Sequence, residues 1–136
     1  MKKQKIKKPI IDWIQFDSEL EWDMYLAFNE NRIQALPGLW ELGGYNIINP
    51  RCECYKLFDW VKLWSKVLRA ISYTPDFVIS NSKWDVVVIE VKSKWTASKP
   101  DYRLRVKLFL LLYGNKLKFA ELIQHNKKKY ELIKYY

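Results

Sequence analysis

The 136 residues are expected to fold as an α/β domain, a central mixed β-sheet flanked by helices. Three features lead there. Residues 86–89, "VVVI", form a continuous apolar run, the pattern of a strand covered on both faces. "FDSELEWDMYLAFNENR" and "PDYRLRVKLFLLLYG" carry apolar residues at helical spacing. "KFAELIQ" and "KKYELIKYY" read as two closing strands around a polar turn. About half of the residues are apolar, enough for one core, so residues 11–136 form a single domain behind a basic tail at 1–10.

Each element follows from local chemistry. Asp17 or Ser18 caps the first helix, whose Leu20, Met24, Ala27 and Phe28 share a face, and the helix should run to about Asn31. "LPGLWELGG" is a turn-rich break. "YNIINPRCECY" is extended, with Pro50 favouring an edge or a bend. Residues 56–69, "KLFDWVKLWSKVLR", place Leu57, Trp60, Val61, Trp64 and Leu68 on one helical face, and an amphipathic helix is expected. Its role is core packing, a dimer face or an aromatic wedge against DNA. "ISYTPDFVIS" and "WDVVVIEVKSK" are strands joined by "NSK", and therefore antiparallel neighbours. Pro100 and Gly114 bound the last helix, with Leu104, Leu108 and Leu111 as its core stripe.

The formal charge is +9, which suits a polyanionic partner. Nucleic acid comes first. No apolar run reaches the roughly 20 residues of a spanning helix, and "MKKQKIKKPI" is followed by no signal-type apolar segment. A cytoplasmic protein with no membrane partner and no small-molecule cofactor is expected. The basic start is either a solvated tail or a DNA-gripping arm. Cys52 and Cys54 stand too close for a zinc knuckle and have no second pair, so they read as reduced thiols.

The chemistry concentrates in "YTPDFVISNSKWDVVVIEVKSK". Side chains alternate along a strand, so Glu90 and Lys92 share a face with Val86 and Val88, where a charge is costly unless paired or bound to a metal. Asp76 lies on the neighbouring strand and converges on Glu90. Two carboxylates, the Val91 carbonyl and waters make an oxygen shell for Mg²⁺, with Mn²⁺ as a substitute. Lys92 beside that shell would orient or help deprotonate a water and offset phosphate charge. Glu21 is the third residue of a capping box, "SELE", or a further metal ligand lent by the first helix. Arg103 and Lys107 share a face of the last helix, with Arg105 elsewhere. They form a solvated basic face or a phosphate grip that Lys83, Lys94 and Lys99 extend.

Pro75-Asp76 followed by Glu90-Val91-Lys92 has the form of the PD-(D/E)xK nuclease motif. Together with "IQFDSELEWDMYLAF" and "DYRLRVKLFLLLYG" it resembles a phage-encoded endonuclease family of that superfamily, similar to phage junction-resolving endonucleases, over residues 14–125. The resemblance implies a restriction-endonuclease-like fold and a Mg²⁺-dependent phosphodiesterase that cuts branched DNA as a homodimer. It places the helix acid on Glu21, the metal acids on Asp76 and Glu90, and the catalytic lysine on Lys92. Transposon-end nucleases share a similar "E…PDF…EVK" order, and the family usually has a short hairpin where this chain has residues 56–69. The expected function is a Holliday-junction resolvase of phage DNA recombination or packaging, acting in the host cytoplasm. A nuclease or nickase on linear duplex, of restriction or transposon-end type, is the alternative. So is a DNA-binding protein of the same fold that does not cut.

Overall fold

The apolar run at 86–91 becomes the centre of the molecule. The computed structural model describes residues 10–11, 14–15 and 18–136. The expectations for the basic tail and for Asp17 as a cap lie outside the described residues. In chain order, strands β1 (Ile10–Ile11) and β2 (Ile14–Gln15) precede helix α1 (Glu19–Asn29). Strands β3 (Asn46–Asn49), β4 (Tyr55–Phe58), β5 (Val61–Leu63), β6 (Lys66–Leu68), β7 (Ile71–Tyr73), β8 (Phe77–Ser80) and β9 (Val86–Ser93) follow. Helices α2 (Lys94–Ala97) and α3 (Pro100–Tyr113) lead to β10 (Lys118–Asn126) and β11 (Lys129–Lys134).

Five strands form one mixed sheet in the order β11-β10-β9-β8-β3. β9 and β10 are parallel and the other pairings are antiparallel. Parallel neighbours need a crossover, which α2 and α3 supply. Alternation along β9 then divides two cores. Val87, Ile89 and Val91 pack with Met24, Ala27 and Phe28 of α1, while Val88 packs with Val106 and Phe109 of α3. Each such buried Val, Ile, Met or Phe side chain contributes roughly 1.5–3 kcal/mol. Glu90 and Lys92 alternate with Val91, so they belong to the α3 side, as the spacing predicts.

Ser18 caps α1, its hydroxyl accepting from the Glu21 N–H at 3.1 Å. The helix ends at Asn29, and Asn31 lies in the left-handed region at φ 54°. β8 and β9 are antiparallel neighbours, as expected. No helix among the described residues is long and apolar enough to cross a membrane.

Four expectations are corrected. Residues 56–69 are not a helix: β4 pairs with β7 and β5 with β6, making a nested hairpin arm. Only Leu57 of the expected apolar stripe is buried, so a helix there would have had nothing to pack on. The Asp59 carboxylate instead accepts from the Trp60 N–H at 2.8 Å, a local bond that competes with helix. Second, "ISYTPDFVIS" is two strands, because Pro75 breaks the ladder and Asp76 bends between β7 and β8. Third, β9 ends at Ser93, whose hydroxyl caps α2, so Lys94 opens a helix. Fourth, α3 buries Tyr102, Val106 and Phe109, while Leu104 and Leu111 face outward. The buried stripe follows the aromatics, since the Phe109 ring meets those of Tyr55, Tyr73 and Phe119 edge-on or tilted, with centres 5.1–5.3 Å apart.

Candidate active site

Asp76 is fixed by its own backbone. Its N–H donates to the Ile89 carbonyl at 3.1 Å, and its carbonyl accepts from the Cys52 N–H at 3.3 Å. Its carboxylate accepts from the Val91 N–H at 2.8 Å. The proline before it explains the placement: the chain leaves β7, cannot continue the ladder at Pro75, and re-enters pairing at Phe77 opposite Ile89. Asp76 is therefore aimed at the stretch of β9 that carries Glu90 and Lys92.

Glu90 is 3% exposed. Its Oε2 accepts from the Tyr73 hydroxyl at 2.8 Å, and its Oε1 lies 3.2 Å from Lys92 Nζ. Lys92 Nζ also stands 5.1 Å from the centre of the Tyr102 ring. Burial pushes the Glu90 carboxyl up to about 7, against the pull of Lys92 and the Tyr73 hydroxyl, with Glu21 adding to the rise. Asp76 keeps part of its surface open to the cleft, yet burial raises its carboxyl well above the usual range, and Glu90 and Glu21 raise it further. Burial and the Glu90 charge push the Tyr73 hydroxyl up, which keeps it a donor.

These groups wall three adjoining hollows of about 440, 410 and 320 Å³, all touched by Thr74. The smallest holds Glu21, Asp76, Glu90, Val91 and Lys92 together. The largest runs from Glu90 and Lys92 to Lys99 and Arg105, and the third reaches Arg51 at the other end. The sequence-predicted acids and the lysine are thus brought to one cleft with cationic ends.

The basic residues divide. Lys99 and Arg105 line the cleft. Lys94 is exposed on α2 and Lys83 in the β8–β9 turn. Arg103 is used elsewhere: it pairs with the fully buried Glu121 at 2.9 Å and donates to the Tyr135 hydroxyl at 3.0 Å. Glu121 also accepts from the Tyr102 hydroxyl at 2.7 Å and from the Tyr135 hydroxyl. Lys107 sits with Arg103 beside a different, mainly apolar groove. The expected Arg103–Lys107 phosphate grip does not face the acids; Arg105 does. Sequence reasoning also missed Tyr73, Tyr102 and Arg51. Tyr73 stands three residues before Asp76 within "YTPD", a local signal, whereas Tyr102 and Arg51 reach the cleft only through the crossover and the β3–β4 bend.

Cys52 is buried and Cys54 exposed, and both are free thiols. Burial pushes the Cys52 thiol up to about 11, while hydrogen bonds with Ser72 and Thr74 lower that of Cys54. Among the described residues no group of three or more His, Cys, Asp and Glu side chains is drawn together closely enough to hold a metal ion. By type of donor, though not by their spacing here, these cleft residues suit a hard cation. The set is all oxygen on the acidic side, and its carboxyls are raised partly by one another, a repulsion that a divalent ion offsets.

No curated protein and no solved structure matches the chain. The family described as Protein of unknown function (DUF1064) matches residues 1–131 of the 136, and the chain belongs to that family.

Proposed function

We propose that the protein is a Mg²⁺-dependent, structure-selective DNA endonuclease with a restriction-endonuclease-like core. It acts on branched DNA in the manner of a phage Holliday-junction resolvase. One observation carries this reading: Asp76, Glu90 and Lys92 wall a single cleft into which α1 brings Glu21. The mixed sheet and the basic ends at Arg51, Lys99 and Arg105 support it. Asp76 and Glu90 would hold Mg²⁺, with Mn²⁺ as a substitute, and Glu21 would position a second ion or its water; the ion supplies Lewis-acid polarisation of the phosphate. Lys92, tethered by Glu90, orients the attacking water and offsets charge on the phosphate. Water adds to phosphorus in line as the P–O3′ bond breaks, leaving a 5′-phosphate and a 3′-hydroxyl. Symmetric cutting of two strands calls for a two-fold homodimer.

The test is incubation with a four-way junction and a matched linear duplex, in Mg²⁺ and in EDTA. Paired, symmetric nicks on the junction alone, abolished by EDTA, support the resolvase. Equal cutting of both substrates moves the reading to a nuclease or nickase of restriction or transposon-end type. A second reading, DNA binding without cleavage, is favoured by one observation: both Glu90 oxygens already have partners, Tyr73 and Lys92. Tight junction binding with no cutting in Mg²⁺ or Mn²⁺ would establish that reading instead.

A further inference from the structure

The hairpin arm contradicts ordinary folding economy. Residues 58–69 are exposed throughout, and this stretch carries Phe58, Trp60, Val61, Leu63, Trp64, Val67 and Leu68. A two-stranded hairpin with no core beneath it is marginal in water. At its tip stands Trp64, 97% exposed and held at φ 51°. A two-residue hairpin turn at positive φ favours Gly, Asn or Asp. A bulky ring there is costly to the backbone and gains nothing from burial within the chain.

The charge on the arm says what kind of partner suits it. Residues 55–73 hold Lys56, Lys62, Lys66 and Arg69 against one acid, Asp59: four minus one, a net +3. Cross-strand partners share a face, and the register pairs Val61 with Leu68, Lys62 with Val67 and Leu63 with Lys66. Alternation then puts a lysine on each face of the hairpin. Neither face is wholly apolar, which a membrane surface requires. Neither is depleted of charge, as the core of a protein interface is. Aromatic rings interleaved with cations suit the stacked bases and phosphates of a nucleic acid.

The arm is also continuous with the cleft. β7 ends in Tyr73, which holds Glu90, and runs through Thr74 to Asp76. At ~3.3 Å per residue, the strands from Tyr73 to Trp64 reach at most roughly 30 Å, about one turn of duplex. A polymer that leaves the cleft along the arm would pass within reach of the tip. Bases inside a duplex are covered by their neighbours, so a ring at a tip finds a bare base only at a branch, a frayed end or a single strand.

We propose that Trp64 at the tip of the β5–β6 hairpin stacks on the bare face of an unstacked base of the DNA held in the catalytic cleft, which makes the arm the element that selects branched over continuous duplex. This rests on the reading of the cleft as a DNA site.

The test is fluorescence anisotropy in EDTA, where no cleavage occurs. The probes are a four-way junction, a 20-nucleotide single strand and a matched duplex. Trp64→Gly relieves the strained backbone, so it keeps the fold. It should weaken junction and single-strand binding about 5- to 100-fold and duplex binding less than twofold, while Trp64→Phe retains most of the affinity. Equal binding by Trp64→Gly and wild type on all three probes overturns the inference. So does a dimer that Trp64→Gly dissociates in sedimentation, which would make a second copy the occupant. So does loss of anionic-vesicle binding with junction binding unchanged. Junction cutting in Mg²⁺ by a protein whose Trp64→Gly form binds normally sinks the arm alone. Selective loss of junction binding in a protein that never cuts sinks the endonuclease and leaves the arm.

Discussion

Glu90 is a buried carboxylate that holds its proton longer in the folded chain than in the unfolded one. Its folded pKa is about 7 against an ordinary 4.5. Folding therefore takes up a proton between those values. The stability from this group is fully present below about pH 4.5 and is lost as pH rises through about 7, a loss of about 3 kcal/mol by pH 8. Asp76 acts in the same direction. Urea unfolding at pH 5.5 and pH 8 should show wild type losing more stability than Glu90→Gln, and parallel profiles would count against the assignment. A cation that binds only the folded cleft reverses the loss. Millimolar Mg²⁺ at pH 8 should raise the Tm of wild type and leave that of Asp76→Asn unchanged. In the cleavage assay, Asp76→Asn and Lys92→Ala should each fall at least about 100-fold, the scale of removing one electrostatic group from a catalytic site. Full activity in either variant would remove it from the machinery.

Among the elements, the β10–α3 contact and the loop before β3 carry testable structure. Arg103, Tyr102 and Tyr135 satisfy a Glu121 carboxylate that has no access to water. Arg103→Met leaves that charge with hydroxyls alone and should cost about 3 kcal/mol in chemical denaturation. Junction affinity measured below the new Tm should change less than twofold, because Arg103 does not line the cleft. A large affinity loss with unchanged stability would restore the phosphate-grip reading. Gly38 sits at φ 94°, and a Cβ there would meet the Tyr130 carbonyl oxygen at 2.1 Å. The loop is held to β11 at this point by the Tyr130 N–H donating to Pro37, at 3.0 Å. Gly38→Ala should destabilise by about 2 kcal/mol or more, read as a lower urea midpoint.

For the whole molecule the governing quantity is the +9 charge together with where it lies. Cations stand at both ends of the cleft and along the arm, so DNA binding should weaken steeply with salt through counterion release. Raising salt from 50 to 200 mM should lower junction affinity by orders of magnitude. Arg105→Ala should reduce the slope of log K against log salt by about one, while Lys107→Ala, beside the other groove, should change it little. Equal effects would mean that the outer face of α3 also contacts phosphate.

Much of this was legible in one dimension because its causes are local. Ser18 as a cap, the apolar strand through Ile89, and Glu90 and Lys92 on one face all follow from hydrogen bonding and a two-residue period. A proline before Asp76 marked the break beside the site without specifying that the strand would be split in two. The rest depended on packing. In residues 56–69 apolar side chains are so frequent that helical and strand spacings are both satisfied, and only the lack of a surface beneath Trp60 and Trp64 selects a hairpin. Leu104 and Tyr102 are equally plausible core residues until β10 supplies Glu121 and Phe119 as neighbours. Arg103 and Arg105 look alike along the chain and do different work, because two residues along a helix turn a side chain through some 200°. Side-chain direction within an element is set by its own period. Which direction is buried, paired or open to a ligand is set by elements distant in sequence that fold against it.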